Sequence, residues 1–518
     1  MNRAMSAAVA LLAVLLVVTL LPQAPTAAQG RRGGTLRYAH YAEPPTMDAH
    51  WTTAAQTSDI SRFVMEQLFA LDSKLRPQPL LVERFTTSAD RKVYTFSLRQ
   101  GIMFHHGREM VADDVVASLR RWGGLGANGR ELFALVDSLS AKDKYTVEMR
   151  LKEPNALVTV YLALPGQAAV IYPKEVAEEA GRGRARRIIG TGPYRLVEHL
   201  PDRHIKLERF AQYKPRSEPG DGLAGKREAY FDTVMILPIP DPAVRIAGIQ
   251  KGEYHFAHAV PPDEYNRLRQ YPQIVAFVVP CASWLIGQMN KIQGPLTNKK
   301  LRQAIQAALD MEKVMSAAFG PKELWRLDPG LMPKEHYMWT DAGKELYNQK
   351  NVERARTLLR EAGYQGQPVR WMTSPERTTY YTASLVAKSQ LEAAGIKMEM
   401  VLVDWATLIS RRNRADAWDL FTTGQLAPLV DPVVNVLPLL PNWPGWYESR
   451  DMAAFLKLMS RHTEVGVRKD LWQRAQRLFY EDAVTIKFGD FFVLHAMRRE
   501  LRGVTGSPVL AFLNAWVQ

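Results

Sequence analysis

The chain has 518 residues, of which 47% are hydrophobic, 9% aromatic and 23% charged. This composition is typical of a folded protein with large cores, and it excludes disordered, collagen-like and coiled-coil chains. The formal net charge is +14, but the Lys and Arg residues form no long run, so the charge does not indicate nucleic-acid binding. The single cysteine, Cys281, excludes an intrachain disulfide and a cysteine-based zinc site.

The N-terminus has the pattern of a secretory signal peptide. Arg3 precedes a mainly apolar stretch at residues 7–21, and small residues follow up to Ala28. The apolar stretch is shorter than the about 20 residues that span a bilayer, so we predict cleavage after Ala28, with an uncleaved anchor as the alternative. No cysteine stands near the end of this stretch, so we expect no lipid anchor. The mature chain is therefore predicted to be periplasmic.

Strands and helices are predicted to interleave along the mature chain. A strand at residues 36–41 precedes a helix at 57–70, in which apolar residues recur every four positions. Residues 94–98 and 147–151 alternate between apolar and polar side chains, as half-buried strands do. This part of the chain is predicted to be α+β.

The second half of the chain has a strand–helix repeat. Its elements are a strand at 369–372, a helix at 378–394 ended by Gly395, a strand at 396–403, another helix, and a strand at 418–422. Helical connections between successive strands indicate parallel pairing with right-handed crossovers. Helices at 298–309, after Asp310, and at 351–362 are predicted to cover this sheet. The pattern predicts an α/β lobe, and a second lobe in the same chain predicts a ligand cleft between the two.

Motifs of catalysis and metal binding are weak in this sequence. Residues 220–225 satisfy GxGxxG, but no strand precedes them and a strand-like segment follows, so we predict a surface loop. The sequence has no GxSxG or HExxH motif. Two close histidine pairs, His105 with His106 and His255 with His258, have no third ligand nearby in the sequence. We therefore predict no catalytic residue, no metal site and no cofactor.

Five ordered sequence blocks carry a resemblance to one known family. They are GGTL at 33–36 with EPPTMD at 43–48, YTFSLRQGIMFH at 94–105 with Gly107 and ADDV at 112–115, GTGPY at 190–194, residues 295–310 containing LRQAIQAALD, and LEAAGI at 391–396 with Trp405. Together they resemble the extracellular solute-binding proteins of family 5, the dipeptide- and oligopeptide-binding group. The resemblance spans about residues 33–490.

This resemblance implies a fold of the periplasmic-binding-protein type, which is α/β with two lobes, a hinge, and an extra α+β domain inserted in the first lobe. The implied boundaries are a signal peptide at 1–28, lobe I at 33–60, 180–262 and 485–518, the inserted domain at 61–179, and lobe II at 263–484. Ligand contacts to both lobes would favour the closed state.

The resemblance also implies a ligand site, from which this sequence departs at one point. Peptide binders of the family use an Asp, shortly before an Asp-Pro pair, for the ligand's ammonium group. Here the Asp-Pro pair is Asp431 with Pro432, but Gln425 stands where the Asp is expected. Because Gln carries no charge, a free amino terminus loses its anchor unless Asp431 reaches inward. Arg377 lies near the position of a carboxylate-binding Arg, with an exposed helix start as the alternative.

Two tryptophans are further candidates for the cleft wall. Trp405 follows a predicted strand at the end where α/β sheets present ligand-facing residues, and Trp284 begins the strand predicted at 285–289. Aromatic side chains in such places suit amphipathic or planar ligands, although either residue could instead belong to a core.

The predicted function is that of a periplasmic receptor that binds peptides or peptide-like solutes and delivers them to the permease subunits of an ABC importer. We expect a monomer with no nucleic-acid partner. The alternatives are a receptor for a non-peptide ligand, such as an opine, oligosaccharide, haem or metal chelate, and a secreted hydrolase.

Overall fold

The computed structural model describes residue 30 and residues 32–518, except 427–430, 435 and 508, and it leaves out the side chains of residues 127, 281, 282, 426 and 437. The predicted signal peptide at 1–28 and the Cys281 side chain therefore lie outside the described part. In the described ranges, none of the helices combines the length and the apolar character that a membrane crossing requires.

Helices cover the sheets of the molecule. In chain order they are α1 (Ala55–Val64), α2 (Ala112–Leu125), α3 (Ala127–Leu135), α4 (Val158–Leu162), α5 (Lys174–Ala180), α6 (Pro242–Lys251), α7 (Tyr265–Leu268), α8 (Lys299–Ala308), α9 (Met311–Phe319), α10 (Val352–Glu361), α11 (Thr378–Ala393), α12 (Trp405–Arg411), α13 (Arg450–Arg461) and α14 (Val465–Glu481). The predicted caps are confirmed at α8 and α9, where the side chains of Asn298 and Asp310 accept hydrogen bonds from backbone N–H groups of the first turn.

The strands belong to one large sheet and three smaller ones. They are β1 (Thr35–His40), β2 (Phe69–Leu71), β3 (Pro77–Pro79), β4 (Val82–Thr87), β5 (Val93–Leu98), β6 (Val136–Asp143), β7 (Thr146–Leu151), β8 (Tyr194–Leu200), β9 (His204–Arg209), β10 (Thr233–Pro238), β11 (Phe256–Ala257), β12 (Ile274–Met289), β13 (Trp325–Arg326), β14 (Val369–Thr373), β15 (Met398–Leu402), β16 (Leu420–Leu426), β17 (Thr485–Arg498), β18 (Leu501–Arg502) and β19 (Trp516–Val517).

The large sheet has two halves that share two long strands. Its order is β15-β14-β16-β12-β17-β11-β1-β10-β9-β8, with β13 paired to β17. The first part of β12 pairs with β17 beside β11, and the last part of β12 pairs with β17 and β16. A register shift between Val279 and Ser283 separates the two parts. The halves of the sheet are therefore joined through the middle of β12 and β17.

The carboxyl ends of the parallel strands in both halves point towards this register shift. Strand β12 runs from the β11 half into the β16 half. Strand β17 is antiparallel to both β12 and β11, so β11 is parallel to β12, and β1 is parallel to β11. Strand β16 is antiparallel to β12, and β14 and β15 are parallel to β16. Strands of the two halves therefore run towards each other, and their carboxyl ends meet at the junction.

The predicted parallel strands β14, β15 and β16 are confirmed, whereas the helix predicted at 57–70 is wrong in its second part. Helix α1 ends at Val64, and residues Phe69–Leu71 form β2. The reason is tertiary, because the carbonyl of Val64 accepts a hydrogen bond from the backbone N–H of Gly192. The strand predicted to begin near Trp284 was also too short, since β12 begins at Ile274.

A second, smaller α+β unit precedes β8. Strands β4, β5, β7 and β6 form an antiparallel sheet in that order, and α2 packs on it with Trp122 fully buried. The alternation predicted at 94–98 and 147–151 is confirmed, because Tyr94, Phe96 and Leu98 are buried while the residues between them are partly exposed. This unit has its own apolar core.

Two of the sequence blocks named above contact each other directly. The carbonyl of Gly192 lies 3.0 Å from Nε2 of His105, and the backbone N–H of His105 donates to the carbonyl of Gly190 at 3.0 Å. Gly190 has no room for a side chain, since an added Cβ would lie 2.1 Å from the carbonyl oxygen of Val64. The block at 190–194 therefore joins the end of α1 to the smaller unit.

We expect Gly190→Ala to lower the midpoint of thermal unfolding. The added methyl group meets backbone rather than a flexible side chain, and overpacking of this kind costs about 1–3 kcal/mol, or about 1–3 °C for a chain of this size. The matched control is Gly124→Ala in α2, where an added Cβ meets nothing within 4 Å and should stabilise the helix slightly. Equal midpoints for the two variants would contradict this account of Gly190.

The carboxylate of Asp48, in the first block, links separate segments. It accepts hydrogen bonds from Arg121 on α2, from Tyr172 and from the backbone of Ala185. Burial acts to raise the pKa of Asp48, but the hydrogen bonds from Arg121 and Ala185 outweigh it and hold this pKa below its usual value. Asp48 is therefore a structural anion that holds the smaller unit against the large sheet.

Candidate functional site

The candidate site lies where the strands of the two halves converge. In α/β sheets, ligands bind at the carboxyl ends of the strands, and sites concentrate between lobes. Here β1 and β11 end on one side of the junction, and β14, β15 and β16 end on the other. The residues that follow these strand ends are the candidates for the two walls of the site.

Arg377 and Trp405 form one contact on the β14–β15 wall. Arg377 is the residue before α11, and Trp405 is the first residue of α12. The guanidinium carbon of Arg377 lies 4.8 Å from the centre of the Trp405 ring, which is cation–π distance. Arg377 is exposed and Trp405 is partly exposed. The two predicted residues therefore present a cation and an aromatic face together at the strand ends.

Aromatic rings continue from Trp405 towards the junction. Tyr380 lies 5.9 Å from Trp405 and 6.2 Å from Phe491 of β17, between ring centres. Phe491 stacks on Phe319, the last residue of α9, at 4.9 Å. We call Trp405, Tyr380, Phe491 and Phe319 the aromatic row. It connects the ends of β14 and β15 with the strand that both halves share.

A glycine of β16 allows the aromatic row to lie close to the sheet. A Cβ added to Gly424 would lie 2.2 Å from the Tyr380 hydroxyl oxygen and 3.3 Å from the Phe491 ring. Burial raises the pKa of the Tyr380 hydroxyl, so this group is a neutral phenol at the strand end. The wall therefore offers a hydroxyl group among apolar rings.

Trp284 and Gln425 belong to a different face of the same sheet. Trp284 lies opposite Gln425 on β16 and opposite Asp490 on β17, which in turn lies opposite Arg326 on β13. Residues opposite each other in antiparallel strands share a face, so these four side chains form a row, which we call the polar row. Trp284 belongs to the apolar core that contains Trp472 of α14. The polar row thus lies on the α14 side.

The Asp490 carboxylate of the polar row is buried and paired. Nε of Arg326 donates to Asp490 at 2.8 Å, and Nζ of Lys487 lies 2.8 Å from the other oxygen of Asp490. Burial raises the pKa of Asp490 even though Lys487 and Arg326 act to lower it. Lys487 also lies 5.1 Å from the ring centre of Trp284. The row therefore already contains the counter-charges for its own carboxylate.

Asp431 lies apart from the other predicted site residues. Both of its carboxylate oxygens accept hydrogen bonds from Nη2 of Arg468 on α14, at 2.7 and 2.6 Å. One oxygen also accepts from the backbone N–H of Val433. The Asp431 side chain is fully buried and that of Arg468 is 6% exposed. The carboxylate expected to reach into the cleft is thus engaged by an internal cation.

Sequence reasoning did not identify Tyr380, Phe491 or Arg326. Tyr380 could have been found, because it lies three residues after Arg377 at the start of a helix, where such residues are neighbours. Phe491 and Arg326 come from strands β17 and β13, which are distant in sequence from β14 to β16. No local pattern marks them as part of the site.

Comparison with known proteins decides the family. The profile of the bacterial extracellular solute-binding proteins, family 5 (middle region), matches residues 76–445. The chain belongs to this family. The resemblance inferred from the five sequence blocks is therefore confirmed, and with it the periplasmic-binding-protein type of α/β fold.

Individual relatives of this family-5 chain cover most of its length. A protein of Sinorhizobium fredii (strain NBRC 101917 / NGR234), named probable peptide ABC transporter periplasmic-binding protein y4tO, is 29% identical over 468 residues, which are 88% of each chain. The glutathione-binding protein GsiB of Escherichia coli (strain K12) is 25% identical over 487 residues, covering 90% of this chain and 91% of GsiB.

A solved structure agrees with the fold over almost the whole chain. The periplasmic binding protein DppA of Helicobacter pylori, in complex with the peptide STSA, superposes with a TM-score of 0.75 at 20% identity. The match covers 94% of this chain and 98% of DppA. It shows that the family-5 chain and DppA share a fold.

Proposed function

We propose that this family-5 protein is the periplasmic receptor of an ABC importer and that it binds peptides or peptide-like solutes between the two halves of its large sheet. The observation that carries the proposal is the convergence of the carboxyl ends of β1 and β11 with those of β14, β15 and β16 at the shared strands. The name of y4tO, which refers to peptides, and the peptide STSA bound to DppA support this class of solute.

In the proposed site, Arg377 binds a carboxylate of the solute and Trp405 covers its apolar part. The guanidinium is exposed and held over the indole ring, so it is available for a bidentate contact. Trp284 and Gln425 are proposed to support the site from behind, since they are buried on the opposite face of β12 and β16 close to the junction. Gln425 carries no charge.

We propose that Asp431 stabilises the protein and does not contact the solute. Its pairing with Arg468 supports this. The site then has no carboxylate at the position of Gln425 or Asp431 for a ligand ammonium group. A free α-amino terminus therefore contributes little to affinity, and blocked and free peptides of the same sequence should bind alike.

The domain boundaries also remain part of the proposal. Lobe I is proposed to comprise residues 33–60, 180–262 and 485–518, the inserted domain 61–179, and lobe II 263–484. The segment at 1–28 is proposed to direct export and to be removed, and the mature protein to act as a monomer that meets its permease at the inner membrane. The proposed receptor has no catalytic role.

Hinge closure is the central expectation of this proposal. Binding to both lobes should favour the closed state, so the radius of gyration from small-angle X-ray scattering should fall at saturating peptide. The peptide should be recovered unchanged, as mass spectrometry of the complex would show. Cleaved peptide would instead indicate a hydrolase. An unchanged radius together with a measured binding isotherm would contradict hinge closure.

Ligand class is tested by mass spectrometry of the solute that co-purifies with the protein from its native host. A peptide or peptide-like mass is expected. An opine, an oligosaccharide, a haem or a metal chelate as the specific occupant would overturn the peptide assignment and leave the receptor fold in place.

A further inference from the structure

Three side chains that commonly ligate metals meet at the ends of β1 and β11. His40 is the last residue of β1, His258 directly follows β11, and Asp59 lies in α1. One ligand atom from each residue lies within 4.8 Å of the others. The His40 side chain is fully buried, and those of His258 and Asp59 are 10% and 14% exposed. The group lies on the wall opposite Arg377 and is separate from it.

Distances within this group suit a small divalent ion. Nε2 of His40 and Oδ2 of Asp59 are 3.3 Å apart, and Nδ1 of His258 is 3.9 Å from the same oxygen. Tetrahedral zinc with bonds of about 2.0–2.2 Å places its ligand atoms about 3.3–3.6 Å apart. The first distance already meets this requirement, and the second needs a closure of about half an ångström.

Outer contacts orient two of the three ligands. Nδ1 of His40 lies 2.9 Å from the carbonyl oxygen of Ala42 and 3.3 Å from the backbone nitrogen of the same residue. The shorter contact fits the tautomer with the proton on Nδ1, which metal binding requires because it leaves the lone pair of Nε2 directed towards Asp59. Arg62 donates to Oδ1 of Asp59 at 2.8 Å, so that Oδ2 is the oxygen that faces both imidazoles. Backbone or charged partners behind the ligands are typical of metal sites.

Two further side chains, Tyr38 and His495, lie beside His258. The hydroxyl of Tyr38 lies 2.5 Å from Nδ1 of His258, so metal binding must displace this hydroxyl from the nitrogen. His495 packs against His258, but its Nδ1 accepts a hydrogen bond from the backbone N–H of Ala259 at 3.0 Å. In the neutral ring Nε2 then carries the proton, and His495 is not a ligand.

We propose that His40, Asp59 and His258 bind one divalent transition-metal ion of the Zn²⁺ type. Two imidazoles and one carboxylate are a common zinc set, and three protein ligands leave a fourth position for water or for a further oxygen. Asp59 supplies the negative charge.

In the sequence, His258 is considered together with His255 and no metal site is predicted, because no third ligand lies near them in the chain. His255, its near neighbour in the chain, accepts a hydrogen bond from the backbone N–H of Arg37 at 3.0 Å through Nδ1. His40 and Asp59 supply the missing ligands from β1 and α1. Only the parallel pairing of β1 with β11 brings them beside His258.

The test is a Zn²⁺ titration of the tag-free mature protein by calorimetry after treatment with a chelator. One ion per chain is expected. His40→Ala and Asp59→Asn should each weaken Zn²⁺ binding by more than the about 10- to 100-fold that changes in outer-shell partners cost. The matched control is His462→Ala, since His462 is an exposed histidine beside the exposed Glu464 and its loss should leave the affinity unchanged. Tyr38→Phe should bind at least as tightly as the wild type.

Several results would overturn the site. They are no Zn²⁺ binding by the wild type, wild-type affinity in both ligand variants, and an equal loss in His462→Ala. If circular dichroism shows that the ligand variants do not fold, the test depends on the wild-type protein alone. Its Co²⁺ form should then have the intense visible absorption of a four-coordinate ion, and a weak six-coordinate spectrum would reject the proposal. Solute binding is not part of this test, so its outcome is independent of the proposed receptor function.

Discussion

Replacing Asp431 with Asn should destabilise the protein by about 3–5 kcal/mol, which lowers the unfolding midpoint by about 3–5 °C for a chain of this size. The variant leaves the Arg468 guanidinium buried without its counter-charge. Nε of Arg468 donates to the carbonyl of Met459 at 3.0 Å, which fixes the cation in place. Thermal unfolding followed by circular dichroism measures the effect.

The matched control for Asp431 is an exposed ion pair. Asp416 and Arg414 have side chains that are 56% and 68% exposed, so Asp416→Asn should leave the unfolding midpoint nearly unchanged. Replacing both Asp431 and Arg468 with apolar residues should restore part of the stability, because the unpaired charge is then gone. An equal loss of stability in Asp431→Asn and Asp416→Asn would contradict the importance of burial.

Asp431→Asn also separates a structural role from a ligand role. If the folded variant loses affinity for a free peptide and retains affinity for the N-acetylated form, Asp431 contacts the ammonium group after all. The geometry leads us to expect equal affinities of both peptides for the variant and the wild type.

Replacing Arg377 with Ala should lower the affinity for a peptide with a free carboxylate by about 10- to 100-fold. A hydrogen bond to a charged group contributes about 1.5–3 kcal/mol, and 1.4 kcal/mol corresponds to a tenfold change. Because Arg377 is exposed, the variant should fold normally. Calorimetric titration with the peptide acid and its C-terminal amide measures the effect.

The amide and a second arginine provide the controls for Arg377. The amidated peptide should bind the wild type and Arg377→Ala with similar affinity, since neither complex contains the charge pair. Arg411 is an exposed arginine at the far end of α12, and Arg411→Ala should leave both affinities unchanged. Equal losses for the acid and the amide would show that Arg377 acts through packing on Trp405.

Much of lobe II could be predicted from local sequence. The parallel strands β14, β15 and β16 and the caps of α8 and α9 depend on residues close in the chain, namely apolar runs of strand length and side chains such as those of Asn298 and Asp310. The placement of Arg377 and Trp405 at the strand ends followed from the same pattern. The distance between their two side chains could not be predicted from this pattern.

Other features depend on partners distant in the chain. Apolar periodicity continued past Val64, yet α1 ends there because Gly192 bonds its last carbonyl. The full length of β12 could not be predicted from the sequence, because this strand is extended by pairing with β17 and then with β16. In both cases hydrogen bonds made after folding override local propensity.

The family, the α/β class and the residues at the ends of strands β14 and β15 could be inferred from the sequence alone, because ordered motifs, periodicity and caps are local properties. The tertiary structure alone decided which charges are already satisfied. Asp431 is paired by Arg468, 37 positions away in the chain, and His258 lies beside His40 and Asp59 instead of its sequence neighbour His255. A buried charge takes whichever partner the packing brings within hydrogen-bond distance, and sequence separation does not limit that choice.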